Sequence, residues 1–432
     1  MATIPTIKIG ELVKKGEAEL QTGPFGTQLK ASDYVEFGVP VINVRNVGFG
    51  DIRDINLEYL DERMVEKLSE HILLKNDIVF GRKGAVERHA FIDEIGVGWI
   101  QGSDCLRLRI KSDRVNNRFI SYFFNTLAHQ DWMKAVCSFG ATMASLNQDI
   151  VKLITIPLPE ITVQNKISAI LTSYDQVINN TNQQITILEK TSGELFKEWF
   201  VRFRFPNFKN TAFEKGLPAD WSVKKLTNGE KFQLIPNNLE VFEDEKKYYA
   251  TSAVNGINLL EATSEHTYTN LPSRAKHKAK LNSVWFARMK NTYKVLGINS
   301  KNSYLIHNMI LSSGFCGIET DEVHFYFLYL LIKSESFHDT KDVFCTGATQ
   351  ESLTNSSLKK IKILYPTEHL IEEFGKVVAP IVNQIFNLQR TNSEIKNCKS
   401  NLLDRLISGK LSVENLDIQF PPSMLEDNEI NE

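Results

Sequence analysis

GATMASLN at residues 140–147 decides the architecture, because the related octapeptide GATQESLT follows at residues 347–354. Five of the eight residues are identical, and the same offset of 207 positions carries Pro159 onto Pro366 without a gap. A fixed offset that persists over about sixty positions is the signature of an internal repeat. The chain is therefore a tandem duplication whose two halves have diverged.

Each copy opens with a globular part, covering residues 1–158 in the first copy and 217–365 in the second. Short runs of β-type residues alternate there with glycine and asparagine, as strand-and-turn structure requires. One residue of slippage aligns IVFGRK at 78–83 with VWFARM at 284–289. The pattern predicts an α+β protein with two tandem α/β domains.

Each copy closes with a long helical pattern, at residues 159–200 and 366–412, and a linker at 201–216 joins the copies. Apolar residues recur there at spacings of three and four, which is the seam of a coiled coil. About 37 residues would span roughly 55 Å as a helix. Two such stripes predict an antiparallel coiled-coil spacer, although ordinary amphipathic core helices remain an alternative. The seam positions are Ile170, Tyr174, Val177, Leu188, Ile381, Leu388, Ile395 and Leu402.

Composition limits the class of protein. The 432 residues are enough for two or three domains. The five cysteines are scattered without a C-x-x-C pair, and we find neither a signal-peptide pattern nor an 18-residue apolar run, so we expect a cytoplasmic protein. A formal net charge of −2 counts against nucleic-acid binding unless the basic residues are clustered. Residues 413–432 read as a polar tail.

Several motifs in a fixed order indicate a family. GPFGT at 23–27 is followed by GVPVI at 38–42, and LKNDIV at 74–79 leads into GRKG at 81–84. The GAT octapeptide, IPLP at 156–159 and FKEWF at 196–200 then complete the first copy, while LPADW at 217–221 opens the second. In order and duplication, the whole chain resembles the specificity subunit of a type I restriction-modification system.

The resemblance implies two target-recognition domains, each reading one half of a bipartite double-stranded DNA site. It implies that the helices set the spacing, that they dock two DNA methyltransferase subunits through the seam positions named above, and that a restriction and translocase subunit joins them. Other subunits would supply S-adenosylmethionine, ATP and Mg²⁺ chemistry, with no cofactor, metal or catalytic residue in this chain. The chain departs from the family where Val163-Gln164 replaces a Glu-Gln pair, and the second copy lacks the GPFG string.

Loop side chains that can bond phosphates or base edges are the candidates for DNA contact. The GAT strings add hydroxyls and amides, although they read equally well as helix starts capped by Thr142 or Ser145. The first-copy candidates are Arg45, Asn46, Arg82, Lys83, Arg88, Thr142, Ser145 and Asn147. The second-copy candidates are Arg274, Lys276, Lys278, Lys280, Arg288, Lys290, Thr349, Ser352 and Thr354.

Alternatives remain at the level of function. The alternating lysines at 276, 278 and 280 could simply be the exposed side of a strand, and near-neutral charge fits a non-catalytic protein-interaction scaffold. A methyltransferase is disfavoured because no glycine-rich cofactor loop or Asn/Asp-Pro-Pro-aromatic motif occurs. A nuclease has only Asp220 with Glu245 as a weak acidic candidate.

Overall fold

The structure, a computed structural model, describes residues 4–138, 144–227 and 231–425. Within these ranges, no helix is both long and apolar enough to cross a membrane. All the cysteines are free thiols, and four of the five are buried. These four therefore serve as small apolar side chains in the cores.

The chain folds into two compact units that share the long helices. Unit 1 comprises residues 1–177 and 395–432, and unit 2 comprises residues 178–394. The long helices are Ile161–Phe200 and Glu368–Ile407, of 40 residues each. Each unit therefore contains one globular domain and a segment of both helices, and the predicted α+β class is confirmed.

Unit 1 is built on a four-stranded antiparallel sheet and a smaller mixed sheet. The strand that carries IVF is buried along its whole length, which a continuous apolar run predicts. In spatial order, the large sheet contains Ala18–Thr22, Cys105–Ile110, Ile78–Gly81 and His89–Phe91, and the small sheet contains Glu58–Leu60, Val39–Ile42 and Ile100–Gln101. A separate pair joins Thr6–Lys8 to Thr155–Pro157. The short helices are Ile9–Lys14, Glu62–Lys67, Asn117–Phe124, Leu127–Ser138 and Gln148–Leu153.

Unit 2 repeats the four-stranded first sheet, but its second sheet has four strands instead of three. Its first sheet contains Gln233–Leu234, Phe315–Glu319, Ser283–Ala287 and Val295–Ile298 in spatial order. Its second sheet contains Ser264–His266, Lys246–Tyr249, Met309–Ser312 and Ala275–Lys278. Further pairs join Ser222–Lys225 to Lys362–Tyr365, Val254–Asn255 to Asn258–Leu259, and Phe213–Glu214 to Leu217–Pro218. The short helices are Leu305–Asn308, Glu322–Lys333, Glu335–Val343, Asn355–Leu358 and, in unit 1, Pro422–Leu425.

The order of the strands supports the duplication independently of sequence. In each copy the aligned strand, Ile78–Gly81 or Ser283–Ala287, pairs antiparallel with its next strand on one side and with a late strand on the other. In each copy a central strand of the second sheet has one antiparallel and one parallel neighbour. Two chance folds would not share this sequence of pairings.

The helix segments run antiparallel within each unit. In unit 1 the Lys399 ammonium donates to Asp175 Oδ1 at 2.5 Å. In unit 2 the Asn392 amide donates to Asn182 Oδ1 at 2.8 Å, and the Phe200 ring packs edge-on against a ring of the second helix, 4.7 Å between centroids. Residue numbers fall along the second helix as they rise along the first, so the predicted antiparallel pairing is confirmed.

The buried seam of the helices differs by one position from the predicted seam. On the first helix, Leu171, Ile178 and Ile185 are spaced by seven and buried, whereas Val177 is 46% exposed. Its place on the seam was therefore predicted wrongly, because the heptad that packs on the partner is the one containing Ile178. The other predicted seam residues are half-buried, namely Ile170, Tyr174, Leu188, Ile381, Leu388, Ile395 and Leu402.

The start of the predicted polar tail packs on unit 1. Val413 is buried in the core of this unit. The Lys166 ammonium donates to the carbonyl oxygens of Glu414 and Leu416 at 2.7 and 2.8 Å. This part of the chain after the second helix therefore belongs to the folded domain.

Candidate nucleic-acid interface

Three motif segments of the first copy meet around Arg82. This residue directly follows the buried strand Ile78–Gly81. Its Nε donates to the Leu146 carbonyl at 3.4 Å, and its guanidinium lies over the Phe25 ring, 5.5 Å from the centroid. We call Phe25, Arg82, Lys83 and Ser145 the Arg82 site. It joins the GPFG loop, the GRKG turn and the GAT string, which lie far apart in sequence.

The second copy reproduces this arrangement around Arg288. Its Nε donates to the Phe315 carbonyl at 2.9 Å, and one terminal nitrogen donates to the Leu353 carbonyl at 3.1 Å. Leu353 is the residue that the 207-residue offset aligns with Leu146. We call Arg288, Lys290 and Ser352 the Arg288 site. Arginine has five N–H donors in a planar fork, so these bonds orient the group and leave donors for a ligand.

The last residue of each octapeptide caps a short helix. Asn147 Oδ1 accepts from the Ile150 amide at 2.9 Å, and Thr354 Oγ1 accepts from the Ser357 amide at 3.1 Å. The described end of each string therefore begins a helix, with Asn147 as the cap of the first instead of Ser145. Thr142 lies outside the described residues. Thr349 is exposed, as is Ser145.

Some first-copy candidates have partners within the protein. Arg45 forms an ion pair with Glu58 at 2.8 Å, and Lys83 pairs with Asp104 at 3.1 Å. Both cations remain about half exposed, and exposed pairs of this kind contribute only about 0–1 kcal/mol. A phosphate could therefore displace either carboxylate at low cost.

Asn46 and Arg88 are more constrained. Asn46 is fully buried, and its amide donates to the carbonyl oxygens of Arg53 and Ile55 at 3.1 and 2.9 Å. Sequence reasoning therefore placed Asn46 wrongly at the surface, and it leaves the candidate set. The Arg88 guanidinium lies over the Phe49 ring, 5.3 Å from the centroid.

The basic run of the second copy lies on and next to the strand Ala275–Lys278. Arg274, Lys276 and Lys278 are exposed and alternate with the buried Ala275 and His277. The strand alternation offered as the simple alternative therefore holds for Lys276 and Lys278, whereas Lys280 lies beyond the end of the strand. The two remaining lysines form ion pairs, Lys280 with Glu319 at 2.7 Å and Lys290 with Glu351 at 2.6 Å.

Burial keeps several ionisable side chains of the cores uncharged at pH 7. Burial lowers the pKa of His89 to about 3 and that of His129 to about 4, so both rings are neutral at pH 7. Burial also raises the pKa of the Cys105 thiol to about 12, which removes its nucleophilic form. Within the described ranges, no group of three or more His, Cys, Asp or Glu side chains is arranged to hold a metal ion.

These features define a class: a duplicated binding protein with one arginine-centred loop surface in each copy and paired antiparallel helices. The family model for the type I restriction modification DNA specificity domain matches residues 8–190. Residues 8–190 are therefore similar to a type I DNA specificity domain, and the curated relatives that cover most of this chain are specificity subunits of type I restriction enzymes.

Relatives match over most of their length. The type I restriction enzyme MjaIX specificity subunit of Methanocaldococcus jannaschii is 28% identical over 71% of this chain and 72% of that protein. The putative MjaX specificity subunit of the same organism is 21% identical over 88% of each chain. The crystal structure of a type I S subunit from M. genitalium covers 94% of this chain and 97% of its own, with TM-score 0.55 and 14% identity. This likeness shows that the fold is shared.

Proposed function

We propose that the Arg82 site and the Arg288 site each read one half of a bipartite DNA target. The observation that carries this proposal is that one arginine in each copy is held by an equivalent hydrogen bond. In each copy it follows the aligned strand and donates to the leucine carbonyl next to a helix cap. A shared support with different surroundings suits two readers of different half-sites, since a bidentate arginine–guanine contact discriminates by about 1–3 kcal/mol.

We further propose that the helices act as the spacer and dock two methyltransferase subunits, with a restriction and translocase subunit completing the complex. Apolar side chains on the outer faces of the helices support docking, because Val177, Ile187 and Val377 are 46%, 64% and 47% exposed. S-adenosylmethionine, ATP and Mg²⁺ would act through those other subunits. With DNA as its target, the chain would work in the cytoplasm.

The test is methylation mapping by single-molecule sequencing, in cells that express this chain with its methyltransferase. We expect a bipartite motif with a fixed gap, which disappears when the chain is deleted. Arg82→Ala should relax one half of the motif and leave the other intact, and Arg288→Ala should do the reverse. Because each change removes one base contact, discrimination at that half-site should fall about 10- to 100-fold.

Arg114→Ala is the matched control, because this exposed arginine of unit 1 pairs with Glu17 and contacts neither site. It should leave both half-sites unchanged. Equal loss of methylation at every sequence in Arg82→Ala would show that Arg82 contacts phosphates in general. Unchanged methylation on deletion of the chain, with active methyltransferase present, would refute the specificity role and favour a protein-interaction scaffold.

A further inference from the structure

Unit 2 contains an unusually long acid-free segment. From residue 266 to residue 318 there is no aspartate or glutamate, while eight lysines and arginines occur. The next longest acid-free stretch of the chain, residues 374–393, has only 20 residues. In a chain of net charge −2, the segment concentrates positive charge in one domain. The net charge of the whole chain does not reveal this local excess of positive charge.

Part of this segment forms the edge of a sheet. The strand Ala275–Lys278 is the last of its four-stranded sheet, paired on one side with Met309–Ser312. Alternation turns Arg274, Lys276 and Lys278 towards solvent. We call these three residues the basic edge. The pairing of this strand shifts at a β-bulge between Ala275 and His277. On its outer side, Asn238 forms hydrogen bonds with the backbone of Lys276 and Lys278, so the three cationic side chains are what this edge presents to a ligand.

The cations of the basic edge are not neutralised within the protein. Across the described ranges, no carboxylate lies within ion-pair distance of Arg274, Lys276 or Lys278. Other candidate cations do have such partners: Arg45 and Lys83 pair with carboxylates in unit 1, as Lys280 and Lys290 do in unit 2. An anionic ligand would therefore meet less competition at the basic edge than at those four cations.

We infer that the basic edge is a track for the phosphate backbone of duplex DNA, and that unit 2 supplies most of the sequence-independent DNA affinity of this chain. The inference rests on the proposed DNA-reading function and adds a division of labour to it. Each phosphate that is neutralised contributes about 0.9 to the slope of log affinity against log salt. The rival explanation is that lysines on an edge strand prevent pairing with other chains.

The experiment uses the full chain and a random-sequence 30-base-pair duplex. Its affinity is measured from 50 to 200 mM NaCl for the wild type and for the double variant K276Q/K278Q. Loss of two phosphate contacts should reduce the salt slope by about 2 and weaken binding at 50 mM NaCl at least 10-fold. The control K14Q/K15Q removes the same charge from two exposed lysines of unit 1 and should change the slope by less than about 0.5.

Three outcomes would overturn the inference. The slope could be unchanged or change equally in both double variants. Light scattering could show association of K276Q/K278Q while its slope stays at the wild-type value, which would favour edge protection. DNA affinity could persist while assembly with methyltransferase is lost, which would assign the edge to an acidic protein. Motif mapping separates this inference from the proposed function, because Arg82→Ala tests base reading without changing the basic edge.

Discussion

Replacement of Lys341 by methionine removes a fully buried ammonium group from unit 2. In the structure this group donates to the carbonyl oxygens of Met289 and Thr292 at 2.9 and 3.1 Å and lies 3.1 Å from Asp342 Oδ1. The turn that it holds also carries Arg288. A methionine fills similar volume but donates no hydrogen bond, so both carbonyls and the carboxylate lose their cationic partner.

The expected cost follows from that loss. Removing one member of a buried ion pair typically costs about 3–5 kcal/mol, because the other charge stays buried and unpaired. For a unit of this size, such a loss lowers the unfolding midpoint by roughly 6–20 °C. Lys134 is the matched control, since the 207-residue offset aligns it with Lys341 but its side chain is exposed. Lys134→Met should change stability by less than about 0.5 kcal/mol.

Calorimetry of the purified chain measures the unfolding transition, and hydrogen exchange of the amides of residues 289–292 reports on the turn itself. Both should change in Lys341→Met and neither in Lys134→Met. A loss below about 1 kcal/mol, or equal shifts in the two variants, would refute the argument that this buried ammonium holds the turn.

Two further predictions concern unit 2. Burial raises the pKa of the Asp321 and Glu368 carboxyls, but hydrogen bonds that include those from His324 outweigh it, so both pKa values lie below their ordinary range. The ionised carboxylates therefore stabilise the fold fully near pH 6, and this stabilisation is lost as the pH falls below about 4. The unfolding free energy should accordingly fall less steeply from pH 6 to pH 3 in D321N/E368Q than in the wild type. Gly317→Ala would place a Cβ 2.4 Å from the buried Trp285 ring and should cost about 1–3 kcal/mol in urea unfolding, whereas an unchanged midpoint would contradict this packing.

The architecture was predictable because two regular patterns in the sequence determine it. The 207-residue offset revealed the duplication, and spacings of three and four revealed the long helices. The face of each helix was harder to predict, because adjacent apolar pairs occur at Ile170-Leu171 and Val177-Ile178. Either member of such a pair completes a heptad, and only packing against the partner helix decides between them.

The site was less predictable because many polar side chains form hydrogen bonds within the protein, which the sequence does not show. Asn46 looked like an exposed loop residue, but its buried amide donates to backbone carbonyls seven and nine residues later in the chain. Arg82 and Arg288 were identified from sequence, but their bonds to leucine carbonyls depend on tertiary contacts. The acid-free segment, in contrast, was readable from the sequence as a local charge imbalance that the net charge conceals.

The amide pair between Asn182 and Asn392 has a consequence for how such chains change over evolution. A slip of one heptad, about 10.5 Å, would set Asn182 against Ile385 or Lys399 and break this hydrogen bond, which contributes about 0.5–1.5 kcal/mol. Insertions in one helix alone would meet the same penalty. The bond is kept when both helices lengthen by matched insertions, so that any target gap the helices set would change in discrete steps.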